Sequence, residues 1–186
     1  MHEPGWQNTT GGYVYAPTWP QHGLVEIYDG VYNTLKPRQQ AKWWELLKYA
    51  LEKWSACGLD FWFDAFQDEG RWMSPDTDQD FIDAAVHPYA TLARMTHKYG
   101  GTILGAGGWW PAPNGTEQGS IAAYHIGATF WSLGRWNQRF IVTHEIGHAL
   151  GLKHNDSQYS VMYGKGWVRN EPDQHDIDAL RWYYQT

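Results

Sequence analysis

The stretch Thr143-His144-Glu145-Ile146-Gly147-His148-Ala149-Leu150-Gly151-Leu152-Lys153-His154 constrains this chain more than any other feature. Positions i and i+4 share one face of a helix, so His144 and His148 can offer imidazole nitrogens to a single ion. Glu145 follows the first of them and sits near that ion without binding it. Gly151 lets the backbone take a left-handed turn and leave the helix, after which His154 swings back as a third ligand. Three protein nitrogens leave the fourth position of a tetrahedral zinc to water, as a catalytic site requires. In a chain of this composition, three His, one Glu and one Gly at these offsets arise by chance in ~1 in 10⁴ sequences. The fold must supply a helix over 137–151 and a reversal directly after it.

With 186 residues there is room for one domain, and 42% hydrophobic residues suffice for a core without staples. A single cysteine, Cys57, excludes an intramolecular disulfide. The net charge of −6 and the lack of any basic run argue against a nucleic-acid partner. No apolar run of 18 residues is present, so no membrane span is expected, and Met1 to Pro20 carry no apolar signal core. The expected location is extracellular or released from the cell, without a recognisable signal peptide in this chain. Thirteen Trp and 12 Tyr give rings enough for the core and for a groove that grips peptides or sugars.

Residues 1–22 are rich in Gly, Pro, Thr and Trp without a period and read as an irregular arm. Leu24 to Tyr28 alternates as a strand does. Pro37 suits a first helical position, and Trp43, Leu47, Ala50, Trp54 and Cys57 then mark one apolar face of a helix over 37–57 that Gly58 ends. Leu59 to Phe66 reads as a strand, and Ser74-Pro75-Asp76 as the start of a helix running to about His87. Thr102 to Ala106 and Ile121 to Ile126 are strand candidates, with Gly107 to Gly115 as an exposed loop between them. Asp173 can cap a last helix, with Asp176 placed favourably for its dipole.

His144 to His154 resembles the metzincin pattern H-E-x-x-H-x-x-G-x-x-H. Ser160-Val161-Met162-Tyr163 is similar to the methionine turn beneath the metal, in its matrixin form. Astacins carry a Tyr two places after the Met, where this chain has Gly164. They carry Glu after the third His, and adamalysin-like enzymes carry Asp, where this chain has Asn155. Leu51-Glu52-Lys53-Trp54-Ser55 resembles the end of the first matrixin helix. Gln174 to Tyr183 resembles the last one, with His175 in place of its first acid. The likeness covers about 24–186 and is strongest over 137–163.

The resemblance implies a single α+β metallopeptidase domain of the zincin type. A twisted mixed sheet and two long helices (23–154) would stand above a small C-terminal part (155–186) holding the methionine turn and the terminal helix. It implies one catalytic zinc on His144, His148 and His154, with Glu145 as general base in the hydrolysis of protein or peptide substrates. Substrate would pair along Thr102–Ala106 as an added strand, touching Ile103, Leu104 and Gly105. Tyr163 would shape the wall of the side-chain pocket, Met162 would lie under the metal, and Trp167 would line the pocket from the loop Gly164–Glu171. A structural zinc is not expected, since only His125 matches its ligand set. Calcium at Asp76–Asp80 lacks support, because Phe81 and His87 stand where an EF-hand loop needs Gly and Glu. No cysteine-switch motif surrounds Cys57, and a monomer is expected. Two other readings stay open: a catalytically degenerate zincin scaffold that binds peptide or glycan through exposed aromatics such as Trp109 and Trp110, and a peptidase specialised for cell-wall peptides.

Overall fold

The computed structural model describes residues 24–66, 72–73, 90–95, 103–111 and 118–184. The N-terminal arm, the helix expected from Ser74, the acidic stretch Asp76–Asp80 and most of the loop after Pro111 fall outside these residues.

Strand β1 (Leu24–Asp29) runs into helix α1 (Pro37–Trp54) through a short 3-10 turn, Tyr32–Thr34. Buried Asp29 makes the corner. Its Oδ1 accepts from Val31 N at 2.8 Å and Tyr32 N at 3.1 Å, and its Oδ2 from Trp43 Nε1 at 2.7 Å. Pro37 begins α1, whose buried stripe is Trp43, Leu46, Leu47, Ala50 and Trp54. The helix was expected to reach residue 57; its last turn tightens instead into a 3-10 helix, Ser55–Cys57, closed by Gly58 at φ 89°. The carbonyls of this end are met by side chains and by the turn itself: Ser55 Oγ donates to Glu52 O at 2.7 Å, Arg181 Nη2 to Ala56 O at 2.8 Å, and Gly58 N to Ser55 O at 2.9 Å.

Strands β2 (Asp60–Phe66), β3 (Trp72–Met73), β4 (Ala90–Met95), β5 (Gly105–Pro111) and β6 (Gln118–Tyr124) join β1 in one sheet of order β2-β1-β4-β6-β5, with β3 beside β4. All its pairs are parallel except the antiparallel β5–β6. The architecture is α+β with a mixed sheet, as expected. Two boundaries are corrected. Ile103 and Leu104 precede the strand assigned to 102–106, which runs instead from Gly105 to Pro111, through residues expected to be loop. The strand expected at 121–126 stops at Tyr124 and starts earlier, at Gln118.

A short helix α2 (Ala128–Ser132) leads to α3 (Arg135–Ala149), two residues ahead of the expected start. Helix α3 packs between α1 and strands β5 and β6. The core lies there, with Trp43, Trp54, Tyr124, Phe130 and Ile146 fully buried. Helix α4 (Gln174–Tyr184) closes the chain. Its start is capped by Asp173, whose Oδ1 accepts from Asp176 N at 2.9 Å. No helix among the described residues is long and apolar enough to cross a membrane.

Candidate metal and catalytic centre

Helix α3 delivers His144 and His148 one turn apart and then ends in a particular way. Gly151 N donates to His148 O at 2.9 Å and Leu152 N to Gly147 O at 3.0 Å, with Gly151 at φ 102°. This is the Schellman closure, and only glycine takes the left-handed position without a Cβ clash. The reversal carries His154 back over the helix. The Nε2 atoms of His144 and His148 each lie 3.1 Å from Nε2 of His154.

The remaining ring nitrogens fix the tautomers. His144 Nδ1 is 2.7 Å from Val161 O, and His148 Nδ1 is 2.7 Å from Leu152 O. A carbonyl can only accept, so both Nδ1 atoms carry the proton and both Nε2 atoms present a lone pair. Burial holds His144 at about 4 and His148 well below the usual histidine range, and partial desolvation lowers the more exposed His154 as well, so the neutral, metal-binding form prevails. Ligand nitrogens about 2.0–2.1 Å from a tetrahedral zinc stand about 3.3 Å from one another. The observed spacing fits such an ion, and the donor set of three neutral imidazoles suits zinc chemistry.

Glu145 is buried beside this cluster. Among the described residues its Oε2 has no hydrogen-bond partner, and burial pushes its carboxyl up to about 8. A buried carboxylate with an orphaned oxygen is costly unless a cation stands nearby. The same site that offers three lone pairs to a cation would relieve it.

The chain then turns under the helix. Tyr163 N donates to Ser160 O at 3.3 Å, and a Cβ on Gly147 would run into Sδ of Met162, so the methionine lies against the helix between the two histidines. Asp176 pins this turn. Its Oδ1 accepts from Ser160 Oγ at 2.6 Å, and its Oδ2 accepts from Val161 N and Asp173 N, each at 3.1 Å. Val161 is the residue whose carbonyl orients His144. Read from the sequence, Asp176 is only a helix-dipole charge; its reach to residue 160 is a tertiary contact that no local pattern announces.

Beside Glu145 a cavity of about 280 Å³ opens, lined by Leu104, Phe140, Ile141, Tyr163 and Trp167 together with Gly105. Ile103 stands at the same cavity and is 42% exposed. The expected pocket residues other than Met162 thus converge on one cleft, while Met162 itself is buried beneath. Phe140 is an addition. It precedes His144 by one helical turn, its ring 5.2 Å from the His144 imidazole and 6.1 Å from Trp167. The i−4 spacing from a ligand was the available signal. Trp54, legible only as core, also holds α3, its Nε1 donating to Thr143 O at 2.9 Å.

The sequence model of the family described as Matrixin matches residues 63–185. No curated protein matches the chain. Among solved structures, one titled "GM1 bound form of the ECX AB5 holotoxin" is similar with a TM-score of 0.52 and 14% identity, over 92% of this chain and 81% of that one. At that identity the likeness speaks for the fold alone.

Proposed function

Because the chain belongs to the matrixin family of metallopeptidases, we propose that it is a zinc-dependent endopeptidase acting on protein or peptide substrates. The observation that carries this reading is the convergence of three imidazole Nε2 atoms next to the orphaned Glu145 carboxyl at the wall of an apolar cleft.

His144, His148 and His154 would hold the ion. Zinc, when bound, supplies a Lewis acid that polarises a peptide carbonyl and acidifies water. Glu145 takes the proton from the attacking water and hands it to the departing amine nitrogen. Burial raises the proton affinity of the Glu145 carboxyl, and a cation on the three imidazoles would keep it ionised and so able to accept that proton. The cleft lined by Leu104, Phe140, Tyr163 and Trp167 takes one apolar side chain beside the cut bond. Strand β5 ends the strand path, and its outer edge offers an extended peptide main-chain pairing.

Zinc-loaded protein is expected to cut an unstructured substrate such as casein. Glu145→Ala is expected to bind one zinc per chain and lose about 10²–10⁴-fold in turnover. Equal turnover by the two proteins removes Glu145 from the mechanism. Tight zinc binding with no cleavage of any protein, peptide or bacterial wall favours the binding-module reading instead.

A further inference from the structure

Glycine is among the poorest strand formers, yet strand β5 begins Gly105-Ala106-Gly107. Alternation sends Gly105 and Gly107 to one face and Ala106 to the other. Ala106 packs against the small cluster of Ala93, Met95, Ile121 and Ala123. The two glycines face α3, and what they face is specific. A Cβ at Gly105 would stand 2.5 Å from Cγ of Glu145, 2.6 Å from its Oε1 and 2.7 Å from its Cδ. A Cβ at Gly107 would stand 2.6 Å from both the Glu145 carbonyl oxygen and Cβ of His148, and 3.0 Å from Glu145 Oε2. Real Cβ atoms do not approach so closely. The strand backbone itself is therefore the floor on which the Glu145 side chain lies.

We propose that Gly105 and Gly107 are positioning residues: Gly105 seats the Glu145 carboxyl, and Gly107 sets the distance between the strand and the metal-bearing turn of α3. The role assigned to Gly105 rests on Glu145 being the general base; that of Gly107 rests only on helix geometry. The two positions differ in what must yield. At Gly105 the obstructing atoms are those of the Glu145 side chain from Cγ outward, with no helix backbone among them, so a methyl group displaces the carboxyl and leaves the helix in place. At Gly107 they are helix backbone and a ligand's Cβ, so a methyl group shifts His148 itself. A role in packing alone predicts no such division, because both substitutions would then perturb stability without separating turnover from metal binding.

The test compares Gly105→Ala and Gly107→Ala with Gly134→Ala, where an added Cβ meets nothing within 4 Å. Zinc affinity is read by competition with a chromophoric chelator, and turnover on a fluorogenic peptide. Gly105→Ala is expected to keep its zinc affinity and its KM within about twofold while kcat falls about 10–100-fold. Gly107→Ala is expected to lose zinc affinity at least about tenfold, and Gly134→Ala to resemble the parent in both. Glu145→Asp, one methylene shorter, should cost less kcat in the Gly105→Ala background than in the parent, the non-additivity that contact demands. Gly105→Ala with parental kcat, or strict additivity with Glu145→Asp, overturns the seat. Should Gly107→Ala not fold, the Gly105 arm decides alone. If the parent cleaves nothing while the zinc affinities still divide as stated, the peptidase reading fails and the spacing role of Gly107 stands.

Discussion

Asp29 shows how one buried group can set the acid response of a fold. Burial raises its carboxyl to about 6 from the ordinary 3.8, against the pull of the Trp43 indole and two backbone N–H donors. The native state therefore holds the proton more tightly than the unfolded chain. Asp29 contributes its stability fully below pH 3.8, and that contribution is lost as pH rises to about 6. The loss over that window is at most about 3 kcal/mol. Asp29→Asn removes the titration. Its amide oxygen can keep the two backbone donors, but its NH2 then faces Trp43 Nε1–H, leaving two donors opposed. The variant should lie about 1–3 kcal/mol below the parent near pH 4, with the gap narrowing toward pH 7 as the parent ionises. Urea midpoints for both proteins across that range check it, and a gap independent of pH excludes the assignment. Asp176 acts at the same scale through a different route. It holds Val161 N–H, and the Val161 carbonyl orients His144. Asp176→Ala should weaken zinc binding up to about tenfold even though the carboxylate touches no imidazole.

At the scale of elements, what was legible in the sequence was what is encoded locally. Helix α1 came from its four-and-three spacing and from Pro37. Helix α4 came from Asp173, and the ligand cluster from offsets within a dozen residues. Strand β5 was misplaced because Gly107-Gly108-Trp109-Trp110 has neither alternation nor β-branched residues. Its extended state is imposed by the β6 ladder, from Gly105 opposite Tyr124 to Pro111 opposite Gln118. The reach of Asp176 to Ser160 and the glycine floor under Glu145 went unread for the same reason, since each acts on a partner that only the folded chain supplies, whereas Phe140 had a readable i−4 spacing from His144 that was passed over. The turn after α3 combines both kinds of information. Gly151→Ala places a Cβ in a left-handed site at a cost of about 1–2 kcal/mol, and the strain falls on the reversal that delivers His154. The variant should lose that stability in chemical denaturation and bind zinc more weakly. Loss of stability with parental zinc affinity would mean that His154 reaches its place independently of the Schellman closure.

For the molecule as a whole, the centre is an energetic debt that a cation can cancel. Three imidazoles are held neutral, with Nε2 of His144 and of His148 each 3.1 Å from Nε2 of the exposed His154, and among the described residues a carboxyl oxygen is buried without a partner where α3 packs on α1 and on strands β5 and β6. A folded chain accepts that arrangement at the expense of its own stability, and a ligand that binds only the folded form returns stability by mass action. At a free zinc concentration a thousand times its dissociation constant the gain is about 4 kcal/mol. For a chain of this size each kcal/mol moves Tm by about 2–4 °C, so chelation should lower Tm by about 8–16 °C. The shift should survive in Glu145→Ala, which keeps all three nitrogens, and vanish in His148→Ala. Scanning calorimetry with and without chelator separates the cases, and a Tm indifferent to zinc in the parent would mean that the three rings are held apart from any ion. Because this readout needs no substrate, it tests the metal centre before any cleavage specificity is known.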